Sequence, residues 1–228
     1  MDSNDLHVWR LDLSDPRWDG FADVLSPQES QRHARVVVPE ARTAWRRSRI
    51  ALRLLLSEYV GGEPRNLAFR EGERGKPMLE AAGFDFNVSH SRLGGLVAVA
   101  RQAVGIDLEC LLGHEGDYLG LLKTICAADE LERVSRCPDD ELQAVFFRLW
   151  TRKEAYCKAT GQGLYKEVRS FSIGPAANGA SAVVIDPAAG AADPCHLHDL
   201  DCDRGWMASV CTVLAQPRIT LRSFAPPC

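Results

Sequence analysis

The sequence predicts an α+β protein made of two related α/β halves joined near residue 102. Three observations point there. A helix-start pattern occurs twice, as Ser26-Pro-Gln-Glu-Ser-Gln-Arg32 and as Ala127-Ala-Asp-Glu-Leu-Glu-Arg133. Each copy precedes a long helix bearing arginine or lysine that ends in glycines, Gly61-Gly62 in one case and Gly161-Gln162-Gly163 in the other. A glycine-led apolar strand also recurs, Gly94-Gly-Leu-Val-Ala-Val-Ala100 and Gly205-Trp-Met-Ala-Ser-Val-Cys211. Residues 1–102 and 103–228 are the expected halves, with a cleft between them of the kind that holds ligands.

The elements follow from local pattern. Leu6 to Leu13 alternates as a strand does. Ser26 is placed as an N-cap, Pro27 as the first helical residue and Glu29 as the capping-box acid. A second helix runs from Pro39 to Val60, with Trp45, Ser48, Leu52, Leu55, Leu56 and Tyr59 near helical spacing, and Gly61 stops it. Strands are expected over Phe84–Ser89, Leu93–Ala100 and Val104–Leu108. In the second half, helices open at Ala128 and at Asp139, the latter reaching about Thr160. Strands follow near Val168–Ile173, Ala182–Ile185, Cys195–Asp201, Trp206–Leu214 and Ile219–Phe224. The stretch from Pro175 to Pro194 is rich in Ala, Gly and Pro and reads as an exposed hairpin or loop.

Composition removes several function classes. The chain has 228 residues, 46% hydrophobic and 25% charged, an ordinary soluble balance. No apolar run spans a bilayer, and the N-terminus Met1-Asp2-Ser3-Asn4-Asp5 is too acidic and polar for a secretory signal. A cytoplasmic location is expected. The eight cysteines then read as reduced thiols. Cys110, Cys126, Cys137, Cys157, Cys211 and Cys228 stand apart, as small buried apolar groups would. Cys195, His196, His198 and Cys202 are zinc-ligand types, but the C-x-x-C or H-x-x-x-H spacing of a zinc site is missing. Net charge is −4, yet Arg32, Arg35, Arg42, Arg46, Arg47, Arg49 and Arg53 fall in one segment with Glu40 as its single acid. Such a segment is either a solvated helix face or a dock for phosphate or acidic protein. Without aromatic interleaving it does not read as a nucleic-acid surface.

Four constellations carry chemistry. Asp107 and Glu109 sit two apart on a strand, so both carboxylates face one side while Ile106 and Leu108 face the core. Hard oxygen ligands in this arrangement suit Mg²⁺, although a lone Asp-x-Glu also fits any polar strand face. Glu154 and Lys158 are four apart on a helix and share a face, either as a surface ion pair or as a third carboxylate beside a phosphate-binding lysine. Asn87-Val-Ser-His-Ser91 offers an amide, two hydroxyls and an imidazole at a turn, without the G-x-S-x-G elbow of a serine hydrolase. Arg74-Gly-Lys-Pro77 puts a cation in a turn that is not a Walker loop.

In this order and spacing, Arg74-Gly-Lys-Pro, Phe86-Asn-Val-Ser-His-Ser, Val104-Gly-Ile-Asp-Leu-Glu and Trp150-Thr-Arg-Lys-Glu-Ala-Tyr-Cys-Lys-Ala resemble the 4′-phosphopantetheinyl transferases of the larger, surfactin-synthetase-activating (Sfp) type. The resemblance covers about residues 20–175 and includes Glu29-x-x-Arg32. Cys157 departs from it, where an aliphatic or aromatic residue is expected, and so does the scarcity of lysine in the first helices.

The resemblance implies a monomer whose halves are related by pseudo-twofold symmetry, with coenzyme A in the cleft. It implies that Lys76, Ser89 and His90 contact phosphates, with Arg74 beside them. Arg32, with Arg42 or Arg49, would lie near the adenosine end. Asp107, Glu109 and Glu154 would hold Mg²⁺, or Mn²⁺, which carboxylates alone do not distinguish. The implied reaction moves phosphopantetheine to a serine of an acyl or peptidyl carrier protein and releases 3′,5′-ADP, with Glu154 as base, directly or through a metal-bound water, Asp107 essential and Lys158 on the leaving diphosphate. A carrier of polyketide or nonribosomal peptide synthesis is favoured. Two other readings compete: a metal-dependent phosphohydrolase or nuclease, and a non-catalytic coenzyme A-binding module.

Overall fold

A computed structural model of the chain describes residues 1–80, 82–163, 166–176, 180–189 and 194–227. In chain order the elements are β1 (Asp5–Asp12), α1 (Pro27–Ala34), α2 (Pro39–Val60), β2 (Phe69–Glu71), β3 (Pro77–Leu79), β4 (Asp85–Ser91), β5 (Gly94–Ala100), β6 (Val104–Cys110), α3 (Tyr118–Ile125), α4 (Ala128–Val134), α5 (Leu142–Ala159), β7 (Ser172–Gly174), β8 (Ala182–Ile185), β9 (His196–Asp199), β10 (Trp206–Thr212) and β11 (Arg218–Phe224). The fold is α+β, as the sequence indicates. One sheet has the order β11-β1-β5-β4 and the other β6-β10-β9-β8-β7, with β2-β3 a separate hairpin.

Local chemistry sets these boundaries. Ser26 accepts the Glu29 N–H while Glu29 accepts the Ser26 N–H, so the first turn of α1 is closed from both sides. Pro39 opens α2, and Gly61, at φ 68°, ends it. Leu52, Leu55 and Leu56 on α2 are fully buried against Leu11, Phe86, Val97 and Val99 of the first sheet. Each such leucine contributes on the order of 2 kcal/mol. The other face of that sheet packs on the second, where Leu6, Val8, Leu96 and Ala98 meet Ile106, Leu108, Ala208 and Val210. Beyond it, Ala155, Cys157 and Ala159 of α5 cover Phe171, Leu197 and Cys211. The layers therefore run α2, sheet, sheet, α5.

Several expectations need correction. The helix expected from Asp139 starts as a 3₁₀ turn, Asp139–Glu141, before α5 proper. Val168–Ser170 is also 3₁₀, so the strand there shrinks to β7. Three elements had too little periodicity to be read: the 3₁₀ stretch Pro16–Val24, the β2–β3 hairpin and α3. In the stretch from Pro175 to Pro194, residues 177–179 and 190–193 lie outside the described residues, while 182–185 form β8. The last strand pairs parallel with β1 (Asp5 beside Arg218, Leu11 beside Phe224) and so belongs to the first sheet. Cys110, Cys126, Cys157 and Cys211 are buried and Cys137 is half-buried, all as free thiols; Cys228 lies outside the described residues. Burial pushes the Cys157 thiol up to about 12. Among the described residues no helix is long and apolar enough to cross a membrane.

Candidate active site

The candidate site is built on the junction of β4 and β6. These strands edge different sheets, and their backbones are not paired as a ladder. Instead, alternate side chains of β4 accept alternate N–H groups of β6. Asp85 Oδ2 takes Val104 N–H at 2.9 Å, Asn87 Oδ1 takes Ile106 N–H at 2.8 Å, Ser89 Oγ takes Leu108 N–H at 3.3 Å and Ser91 Oγ takes Cys110 N–H at 3.2 Å. Period-two alternation makes this possible, since residues two apart face one side. The expected Asn-Val-Ser-His-Ser turn is thus a strand. The turn comes after it, at Arg92, which has φ 47°.

The two serines pass this order on to the carboxylates. A hydroxyl that accepts a backbone N–H keeps its proton to donate. Ser89 Oγ donates to Asp107 Oδ1 at 2.9 Å, and Ser91 Oγ donates to Glu109 Oε2 at 3.0 Å. The other oxygen of Glu109 accepts Trp150 Nε1–H from α5 at 3.1 Å.

Helix α5 reaches β6 because residue 105 is glycine. A methyl group on Gly105 would press into the Ala155 carbonyl and the Ala159 backbone, closer than any real Cβ sits. This close approach lets Lys158 Nζ touch Asp107 Oδ1 at 2.5 Å and Ser89 Oγ at 3.0 Å. Glu154, one turn earlier, is buried with them. Burial raises the Glu154 carboxyl above its usual range; Lys158 opposes the shift, while Asp107 and Glu109 add to it. Glu109 is likewise raised by burial and then by Asp107.

Asp107, Glu109 and Glu154 are therefore electrostatic neighbours. Among the described residues no three carboxylate, imidazole or thiol groups stand close enough to form a ready metal cage. The chemistry of the set still fits a hard cation. Asp107 Oδ2 and Glu154 Oε1 are buried with no hydrogen-bond partner, an arrangement that is unfavourable until a positive charge satisfies it.

In front of Lys158 lies a cavity of about 870 Å³, large enough for a nucleotide-sized ligand. Its lining takes in Arg32, Arg49, Ser89, His90 and Lys158. Arg49 is an ion-pair partner of Glu29, and its guanidinium lies 4.3 Å from the centre of the Phe69 ring. Burial pushes the Arg49 guanidinium down, against the pull of Glu29. Burial, aided by Lys158, also lowers the His90 imidazole, so it is neutral at pH 7 and can donate one hydrogen bond. Arg32 sits on the rim, 2.9 Å from Glu71.

Other expected residues fall elsewhere. Lys76 Nζ is held by Asp85 at 2.6 Å and the Val104 carbonyl at 2.9 Å, so it clamps the two sheets; its neighbours Gly75 and Pro77, not Lys76, line the cavity. Arg42 Nε donates to the Val36 carbonyl at 2.6 Å. Among the described residues neither Arg42 nor Arg74 lines the cavity. Sequence reasoning gave no role to Ser91, Trp150 or Phe69. For Ser91 a signal was present: 89 and 91 alternate in step with 107 and 109.

Comparison with known proteins agrees with the chemistry. The profile described as 4′-phosphopantetheinyl transferase, N-terminal, matches residues 9–103, and that of the 4′-phosphopantetheinyl transferase superfamily matches residues 103–211. The chain is 40% identical over 172 residues to 4′-phosphopantetheinyl transferase HetI of Nostoc sp., covering 72% of each protein. It is 33% identical to a putative 4′-phosphopantetheinyl transferase of Synechocystis sp., over 69% of this chain and 65% of that one. To 4′-phosphopantetheinyl transferase Sfp of Bacillus subtilis it is 26% identical, over 82% of this chain and 87% of that one. These relatives are transferases, not the phosphohydrolases or nucleases that a carboxylate cluster could also serve, and the chain belongs to the 4′-phosphopantetheinyl transferase superfamily.

Proposed function

We propose that the chain transfers the 4′-phosphopantetheine of coenzyme A to a serine hydroxyl of an acyl or peptidyl carrier protein, releasing 3′,5′-ADP. The observation that carries this reading is Lys158. Its ammonium bridges Asp107 and Ser89 and also faces the cavity that Arg49 and His90 line. A diphosphate in that cavity would lie between fixed cations and a carboxylate cluster, as a phosphoryl-type transfer requires.

Asp107, Glu109 and Glu154 would hold Mg²⁺, which supplies positive charge to the diphosphate oxygens when bound. The protein's own groups do the rest. Arg49 and Arg32 draw in the phosphates of the adenosine end. Neutral His90 donates a hydrogen bond to a phosphate oxygen. Glu154, directly or through a water, accepts the proton of the carrier serine as the serine oxygen bonds to the β-phosphorus and the bond to 3′,5′-ADP breaks. Lys158 stabilises the charge left on the departing oxygen.

Residues 1–102 and 103–228 would act as one monomeric unit with the site at their junction. Carriers of polyketide or nonribosomal peptide synthesis are the expected partners. Free buried thiols suit a reducing cytoplasm. The test is intact-mass spectrometry of an apo carrier incubated with the protein, coenzyme A and Mg²⁺, with and without EDTA. A gain of one phosphopantetheine that EDTA removes supports the reading. No gain with carriers of several classes overturns it.

A further inference from the structure

We infer that Ser91 and Trp150 are positioning residues that fix Glu109 from both sides and so set the affinity of the carboxylate cluster for its divalent cation. The inference rests on the metal reading given above. Glu109 stands on a strand, with rotatable bonds between its backbone and its carboxylate. A ligand that must be ordered when the cation arrives weakens binding by the freedom it loses. Here that freedom is already removed. Oε2 accepts from Ser91 Oγ at 3.0 Å and Oε1 accepts from Trp150 Nε1 at 3.1 Å.

Both holders are themselves held. Ser91 Oγ accepts the Cys110 N–H, which points its only proton at the carboxylate. The Trp150 ring stacks on Phe146, with centroids 6.3 Å apart and planes at 10°. Indole nitrogen can only donate, so its N–H stays available to a carboxylate and never competes as an acceptor. The two holders come from opposite sides of the junction, Ser91 from β4 and Trp150 from α5. Glu109 therefore takes its orientation from both halves at once. Partners of this kind, behind metal-ligating groups, typically alter affinity by about 10- to 100-fold.

The experiment titrates Mn²⁺ into the protein saturated with coenzyme A and reads free Mn²⁺ by electron paramagnetic resonance. Ser91→Ala and Trp150→Phe are compared with Asp107→Asn and wild type, and coenzyme A affinity without metal is measured for each. Both positioning variants should bind Mn²⁺ about 10-fold more weakly with coenzyme A affinity unchanged, and Ser91→Thr, which keeps the hydroxyl, should recover most of the loss. If Asp107→Asn loses Mn²⁺ while Ser91→Ala and Trp150→Phe bind it within twofold of wild type, the positioning role falls and the metal reading stands. If wild type binds no Mn²⁺, or Asp107→Asn binds it equally well, the metal reading falls and takes this inference with it.

Discussion

Glu130 and Lys153 form an ion pair sealed from water: their side chains are 1% and 0% exposed and 2.8 Å apart. Lys153 also donates to the Val168 and Phe171 carbonyls and lies over the Phe171 ring, while Glu130 accepts the Ala127 and Ile173 N–H groups. Glu29 and Arg53 repeat the arrangement in the first half. Arg53 donates to the Pro64 and Leu67 carbonyls beside the Phe69 ring, and Glu29 accepts the Ser26 N–H. The repeated sequence pattern is thus a repeated buried charge pair that ties a short helix, a long helix and the following turn together. Lys153→Met leaves a buried carboxylate unpaired and should cost about 3–5 kcal/mol. Urea denaturation measures it, and a loss under about 1 kcal/mol would show that the pair is not an anchor.

The first-half pair should make stability depend on pH. Burial alone would raise the Glu29 carboxyl, but Arg49, the Ser26 N–H and Arg53 together hold it below its ordinary 4.5. The unfolded chain then binds the proton more tightly. The contribution of Glu29 is complete above pH 4.5 and is lost as pH falls through the lower folded value. Glu29→Gln should cost about 2–3 kcal/mol at pH 7, with the gap to wild type closing on acidification. A gap independent of pH would contradict this.

Gly105→Ala should act on stability and activity together. The added methyl meets helix backbone, which cannot turn aside as a side chain can. A loss of about 3 kcal/mol is expected, lowering Tm by about 6–12 °C. Transfer should fall further than stability predicts, because α5 carries Glu154 and Lys158. Differential scanning calorimetry beside the carrier assay separates the two effects.

The carboxylate cluster sacrifices stability for function. The Glu154 carboxyl is raised by burial and by its acidic neighbours, so the unfolded chain releases that proton more readily and stability declines above the ordinary carboxylate range. Glu154→Gln should raise the stability of the metal-free protein at pH 7 while abolishing transfer. Asp107→Ala should cut transfer by about 10²–10³-fold and leave the fold intact. A destabilised Glu154→Gln, or an active Asp107→Ala, would remove these groups from the site.

Arg49 marks where the halves stop being equivalent. It lies four residues before Arg53, and the same place before Lys153 holds Leu149. The arginines of the cavity therefore come from the first half, and the second half adds Lys158. Arg49→Leu, which copies the second half, should weaken coenzyme A binding about 10-fold by calorimetric titration. Unchanged affinity would take Arg49 out of the binding site.

The sequence showed what repeats and what alternates. Glu29 announced its capping box, Pro39 and Gly61 bounded α2, and the two-residue spacing of Asp107 and Glu109 placed both carboxylates on one face. It did not show what depends on a partner far along the chain. The resemblance gave Lys76 as a phosphate contact, and local pattern could not show that Asp85 and the Val104 carbonyl hold its ammonium. The β4–β6 junction joins residues 19 apart through side chains, so neither strand's pattern announces it. Helix α3 spans only Tyr118–Ile125 and is apolar on more than one side, so no single stripe betrays it.

The parallel pairing of β11 with β1 has a consequence for biosynthesis. Asp5 leaves the ribosome more than two hundred residues before its neighbour Arg218. Until then β1 has β5 on one side and an open row of N–H and C=O groups on the other. Such an edge can pair with another nascent chain. Polysomes crowded with this message, and any product that terminates before residue 218, should therefore depend on chaperones in a way the finished protein does not.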